Sequence, residues 1–200
     1  MHDLLGALRL DPGELLAAWR VGSRVYGTSG PESDHDFLVV RAGAARSDLH
    51  FSPGCNAIVH DRASFQASLD GASLVALEAW FAPAPHRLIE PPRGVFRLVL
   101  DRGALVASAL ARSERDAGAA LRRFDDDPAA AHKRAFHAVR GLLFTRQLLA
   151  HGRLVDLTEG AELLPGLRAC ADRDALARHL DPLRRALVAE VEAAGRRRRR

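Results

Sequence analysis

The chain has 200 residues, 48% apolar and 27% charged, which is ordinary globular material with enough for a real core in one domain plus an appendage, or in two small domains. No apolar run approaches the roughly 20 residues that span a bilayer, and the opening Met1-His2-Asp3-Leu4-Leu5-Gly6 lacks the pattern of a signal peptide, so a cytoplasmic protein with no membrane partner is expected. Five arginines at 196–200 dominate the formal charge of +4; without them the body carries about −1, which excludes overall attraction to nucleic acid as the basis of its function.

Asp11-Pro12-Gly13-Glu14 offers a cap, a proline at the first helical position and an acid at the third, predicting a short helix over 12–18. Trp19-Arg20-Val21 follows as a brief first strand. The continuous apolar run in Asp36–Arg41 predicts a strand buried on both faces. Residues 42–53 read as an irregular loop, and 56–60 as a third strand. Asp61 caps a helix to about Leu69 closed by Gly71, Ser73 opens another over 74–81, and Arg87-Leu88-Ile89 makes a last strand. Everything after Pro91-Pro92-Arg93-Gly94 reads as helix: 101–124, then 128–150 behind Asp127-Pro128 and ahead of Gly152. A short one begins at Thr158, another covers 174–179, and a final helix restarts at Asp181-Pro182 and reaches Gly195. Strands first and helices second predict an α+β protein, with residues 1–95 as an α/β core, 96–195 as a helical domain and 196–200 as a disordered arginine tail. Cys55 and Cys170 form no metal or redox motif and are expected as free thiols.

Chemistry concentrates in residues 22–40. Gly22-Ser23 permits close approach of backbone to a phosphate and adds a hydroxyl. Asp34 and Asp36, two apart at the start of a strand, project to one side, and a hard divalent cation, Mg2+ or Mn2+, relieves the repulsion between them. These features describe a metal–triphosphate site; the alternative for the same residues is a solvated hairpin loop. Asp125-Asp126-Asp127, directly before a proline, reads as an acid-rich helix start rather than a metal cluster.

Gly-Ser, ten residues, then Asp-x-Asp entering an apolar strand resembles the signature of the polymerase-β-like nucleotidyltransferase superfamily. More narrowly, Gly22-Ser23-Arg24-Val25-Tyr26-Gly27 with Ser33-Asp34-His35-Asp36, Glu78, and Lys133, His137 and Arg140 resembles a group of small predicted bacterial and phage nucleotidyltransferases, over roughly residues 15–152. The resemblance implies a small mixed sheet backed by a helical bundle. It also implies transfer of NMP from an NTP to a hydroxyl on an RNA end, a protein or a small molecule. Asp34 and Asp36 then hold the metal, Gly22, Ser23, Tyr26, Lys133 and Arg140 hold the nucleotide, and His137 orients groups or moves a proton. The group's third carboxylate is expected where Asn56 stands; an amide brings neither a base nor a negative charge. Asp48 and Asp61 are the substitutes to consider. Asn56 therefore also suggests a catalytically degenerate nucleotide-binding or regulatory protein that acts with a partner. A third possibility is RNA binding by the arginine tail. Lys133, the only lysine, falls with His137 and Arg140 on one helical stripe, for which a solvated basic edge is the alternative.

Overall fold

The apolar run from Leu15 to Trp19 enters a strand, β1 (Leu15–Val21), and not the helix that its capping residues predict. In the computed structural model, which describes residues 11–43 and 48–196, those capping residues make a single 3-10 turn at Pro12–Glu14. The Asp11 carboxylate accepts from the Gly13 amide at 2.8 Å, so the local signal was satisfied within one turn. Strand β2 (His35–Arg41) lies antiparallel to β1, and β4 (Cys55–Asp61) lies parallel to β2. Strand β3 (Asp48–Ser52) runs antiparallel to β4 within the stretch expected to be irregular, and β5 (Arg87–Ile89) flanks β1. The mixed five-stranded sheet has the order β3-β4-β2-β1-β5.

Both faces of the sheet are apolar, as the unbroken run in β2 requires. On one face Ala18, Phe37, Val39, Ala57 and Val59 form a buried cluster. The opposite face carries Trp19, Leu38 and Val40, all buried, and is covered by α1 (Arg62–Asp70) and α2 (Leu74–Trp80). Trp19 stacks on Phe65 of α1 with ring centroids 5.2 Å apart, and Phe96 meets the edge of Phe65 at 4.9 Å. Asp61 caps α1 by accepting from the Ser64 amide at 2.6 Å, while Ser64 Oγ accepts from the Asp61 amide, a capping box. The Gln66 side chain pairs with both the N–H and C=O of Arg97, so the irregular segment after β5 is pinned to the same helix.

The chain divides into two compact units after Leu100. The second is a bundle of α3 (Arg102–Arg123), α4 (Pro128–His151), α5 (Leu164–Arg168) and α6 (Arg173–Arg196). Helix α4 is its axis, packing on α3, α5 and α6, and is buried along most of its second half. Asp127 caps it through the Ala130 amide, with Pro128 in the first turn and Gly152 left-handed at its end. The Arg102 guanidinium donates to the Leu149 carbonyl near the end of α4 and to the Ala194 carbonyl near the end of α6. Two of the orphan acceptors that helix ends create are thereby satisfied. Helix α6 is continuous through Pro182, where a break was expected; Leu176 and Leu180 before the proline and Leu187 and Val191 after it are all buried. One missing backbone bond is outweighed by that apolar stripe. The short helix expected from Thr158 starts a few residues later, as a 3-10 turn at Ala161–Leu163 that runs into α5.

An α+β fold with a small mixed sheet followed by a helical bundle is what the sequence predicted and what the structure shows. Among the described residues no helix is long and apolar enough to cross a membrane. The opening residues Met1–Gly6 and arginines 197–200 lie outside the described residues; Arg196 is the last residue of α6.

Phe65 has no exposed surface and joins Trp19 to Phe96, so Phe65→Ala should cost about 3–5 kcal/mol of unfolding free energy. Urea unfolding followed by tryptophan fluorescence measures this directly.

Candidate functional site

At the start of β2, two carboxylates are held together by one amide. Asn56 Nδ2 donates to Asp34 Oδ2 and to Asp36 Oδ1, each at 3.1 Å. Strand pairing explains the meeting: Asp36 and Asn56 stand level across the parallel β2–β4 ladder, on one face, and Asp34 lies two residues before Asp36. The carboxylates converge as their spacing predicts. Residue 56, where the resemblance implied a third carboxylate, stands beside them as an amide donor. Two charge-assisted hydrogen bonds offset the repulsion that a cation would otherwise relieve. Among the described residues no group of three acidic, histidine or cysteine side chains is placed to hold a metal.

Gly22 directly follows β1, whose last residue Val21 pairs with Asp36. Its φ is +83°, and a Cβ built there would stand 2.1 Å from Asp36 Oδ2. The room left by the missing side chain is thus taken by Asp36, so glycine is required by the carboxylate before any phosphate is considered. The chain then tightens into a turn in which the Gly22 carbonyl accepts from Val25 and Tyr26, and the Ser23 carbonyl from Thr28. Ser23 sits in this turn, partly exposed, at the strand end that carries the carboxylates. Arg24 donates to the Ser33 carbonyl at 2.6 Å, and Ser33 Oγ accepts from Gly30, closing the loop that delivers Asp34.

Tyr26 is buried, and its hydroxyl donates to the buried carboxyl of Glu78 on α2. Tyr26, expected from the resemblance to hold the nucleotide, is thus engaged with α2 through Glu78. Neither candidate substitute supplies a third carboxylate at the pair. Asp61 is occupied as the α1 cap at the far end of β4, and Asp48 stands level with Val59, not Asn56. His60 lies against Phe65 and within 3.3 Å of Ser64 Oγ, and burial lowers its pKa.

Two neighbours were not singled out by sequence. Cys55 precedes Asn56, and burial, then Asp36 and Asp34, raise its thiol pKa. Phe51 stands level with Asn56 on β3 and is 75% exposed. It went unnoticed because its strand was read as loop, although the alternation in Asp48-Leu49-His50-Phe51-Ser52 was a usable signal.

Lys133, His137 and Arg140 belong to α4 in the second unit and run from surface to interior. Lys133 is exposed, His137 half-buried and Arg140 buried, with the Arg140 guanidinium 5.4 Å from the Phe144 ring centroid and 5.9 Å from that of Phe136. The stripe is therefore not a solvated edge. Burial first, then Arg140, Arg112, Lys133 and Arg134, press the His137 pKa down to about 2. Its Nδ1 is buried with no hydrogen-bond partner among the described residues. His137 is consequently a neutral imidazole at any ordinary pH.

No protein-family model matches the chain, and comparison with curated proteins gives no match.

Gly22→Ala should destabilise the first unit by more than about 2 kcal/mol, through the Asp36 clash and the left-handed backbone together, as read by thermal unfolding. For His137 the unfolded chain takes up a proton near pH 6.5 that the native state refuses until about pH 2. Stability should therefore be complete above pH 6.5 and fall as pH drops below it, by up to about 1.4 kcal/mol per pH unit from this group. His137→Gln should flatten that dependence in urea midpoints between pH 7 and 4.

Proposed function

We propose that the first unit is a nucleotidyltransferase-type site that binds an NTP with a divalent cation and transfers NMP to a hydroxyl acceptor. The observation that carries this reading is the convergence of Asp34, Asp36 and the Gly22 corner at one strand end. The donor set suits Mg2+, which takes one or two protein carboxylates and fills its remaining positions with water and substrate phosphate oxygens. Asp34 and Asp36 would hold it, joined by Asn56 through the amide oxygen once the side chain turns over. The bound cation would stabilise charge on the attacking and leaving oxygens of an in-line displacement. Gly22 keeps Asp36 close to the turn, Ser23 offers a hydroxyl to a phosphate, and Tyr26 with Glu78 holds the turn against α2. These groups all belong to the first unit; Lys133 and Arg140, expected to hold the nucleotide, and His137, expected to orient groups or move a proton, belong to the second.

The Asn56 amide favours a second reading: a nucleotide-binding protein without turnover, acting with a partner. Among the described residues no side chain beside the carboxylate pair supplies the third negative charge that would take the acceptor's proton. The two readings part on one substitution. Asn56→Asp replaces a donor to two carboxylates with a third like charge, a repulsion on the order of 1–2 kcal/mol after discounting for the exposure of Asp34. The variant should melt below wild type in EDTA and regain the difference in millimolar Mg2+, while wild type moves much less. In labelled-NTP transfer assays with RNA and lysate protein as acceptors, wild-type activity that Asp36→Asn abolishes supports the enzyme. Activity seen only in Asn56→Asp supports the binding protein. Transfer unchanged in Asp34→Ala and Asp36→Ala would remove this site from the reaction altogether.

A further inference from the structure

We infer that Phe51 is the platform on which the base of the bound nucleotide stacks, an assignment that rests on the nucleotide reading of the carboxylate site. Phe51 is the one exposed phenylalanine, tyrosine or tryptophan among the described residues. Residues directly opposite in an antiparallel pair share a face with their Cβ atoms about 5 Å apart, and Phe51 is opposite Asn56. Asn56 is in turn level with Asp36 and bonded to both carboxylates. The ring therefore stands two strand spacings from Asp36, about 10 Å, on the face where the carboxylates converge. That is the reach of a nucleotide whose α-phosphate lies at the carboxylates and whose ribose crosses Asn56.

Leu49, next along the same face of β3 and opposite Ile58, is 59% exposed and extends the apolar surface. A phenyl ring this exposed on an edge strand leaves most of its apolar surface to solvent. A planar base has the shape and polarity to cover it, and stacking tolerates any base because each has a π face. Tyr26, the aromatic nearest the motif in sequence, is withdrawn from this task by its burial and its bond to Glu78. The purine or pyrimidine thus has one ring to meet at this end of the sheet, and the preference should run with stacking strength, purines above pyrimidines.

The test separates the base from the phosphates. Affinities of the four NTPs and of inorganic tripolyphosphate, each with Mg2+, are measured by calorimetry on wild type, Phe51→Ala, Phe51→Trp and Asp36→Asn. Phe51→Ala should weaken the tightest NTP roughly 5- to 100-fold and leave tripolyphosphate unchanged, whereas Phe51→Trp should keep or tighten the NTP. Asp36→Asn should weaken both probes. If wild type binds NTP and Phe51→Ala binds it equally well, the stacking assignment fails while the carboxylate site stands. Binding of neither probe by folded wild type overturns both. Unchanged NTP affinity in Phe51→Ala together with loss of a dimer in sedimentation makes the patch a contact between copies of this chain, and the assignment falls. Because Phe51 is exposed, circular dichroism of Phe51→Ala should match wild type, so lost affinity does not report lost folding.

Discussion

Two carboxylates that converge repel one another, and the first unit is arranged around how that repulsion is offset. The Asn56 amide spans Asp34 and Asp36, and this bridge is possible only because β2 and β4 run parallel and in step. A slip of one residue would turn Asn56 to the opposite face, where Ala57 and Val59 now pack, and would leave the acids facing each other alone. The same register sets Leu38 against the helices and Phe37 against the other cluster, so the apolar core enforces the alignment that the polar pair needs. Core and site are two consequences of one pairing.

Glycine at position 22 is the second constraint, and it operates from the neighbouring strand. Its missing side chain admits Asp36, so the turn and the carboxylates cannot be varied independently. Tyr26 and Glu78 extend that coupling to α2, where a hydroxyl donated to a buried acid fixes the far side of the turn. The motif residues from 22 to 36 are therefore tied into both the sheet and its helical cover, which a free loop of the same composition would not be.

Much of this was legible in the amino-acid order, for reasons that differ by element. Asp34 and Asp36 were placed by strand periodicity, and the long helices by caps such as Asp127-Pro128 that act within one turn. Misreadings arose where a local signal was genuine but short of range. Asp11 does cap a turn, yet Leu15–Ala18 gain more by joining the sheet. Pro182 does delete a backbone bond, yet the buried leucines on either side carry α6 through it. Strand β3 was hidden by flanking Gly43 and Pro53, because an edge strand shows only half a pattern when one of its faces meets solvent. That Asn56 donates to both carboxylates was invisible in one dimension, since the bridge joins positions 20 and 22 residues apart through a register that sequence does not print.

The grip of Arg102 on Leu149 and Ala194 has a consequence for biosynthesis. The first residue of α3 satisfies carbonyls that are translated long after it, so during synthesis its guanidinium waits for nearly the whole bundle to emerge. The sheet makes no such demand, because its last strand ends at Ile89. The nascent chain can therefore complete its sheet while the helices are still being made, whereas the second of these hydrogen bonds forms only once the end of α6 has emerged.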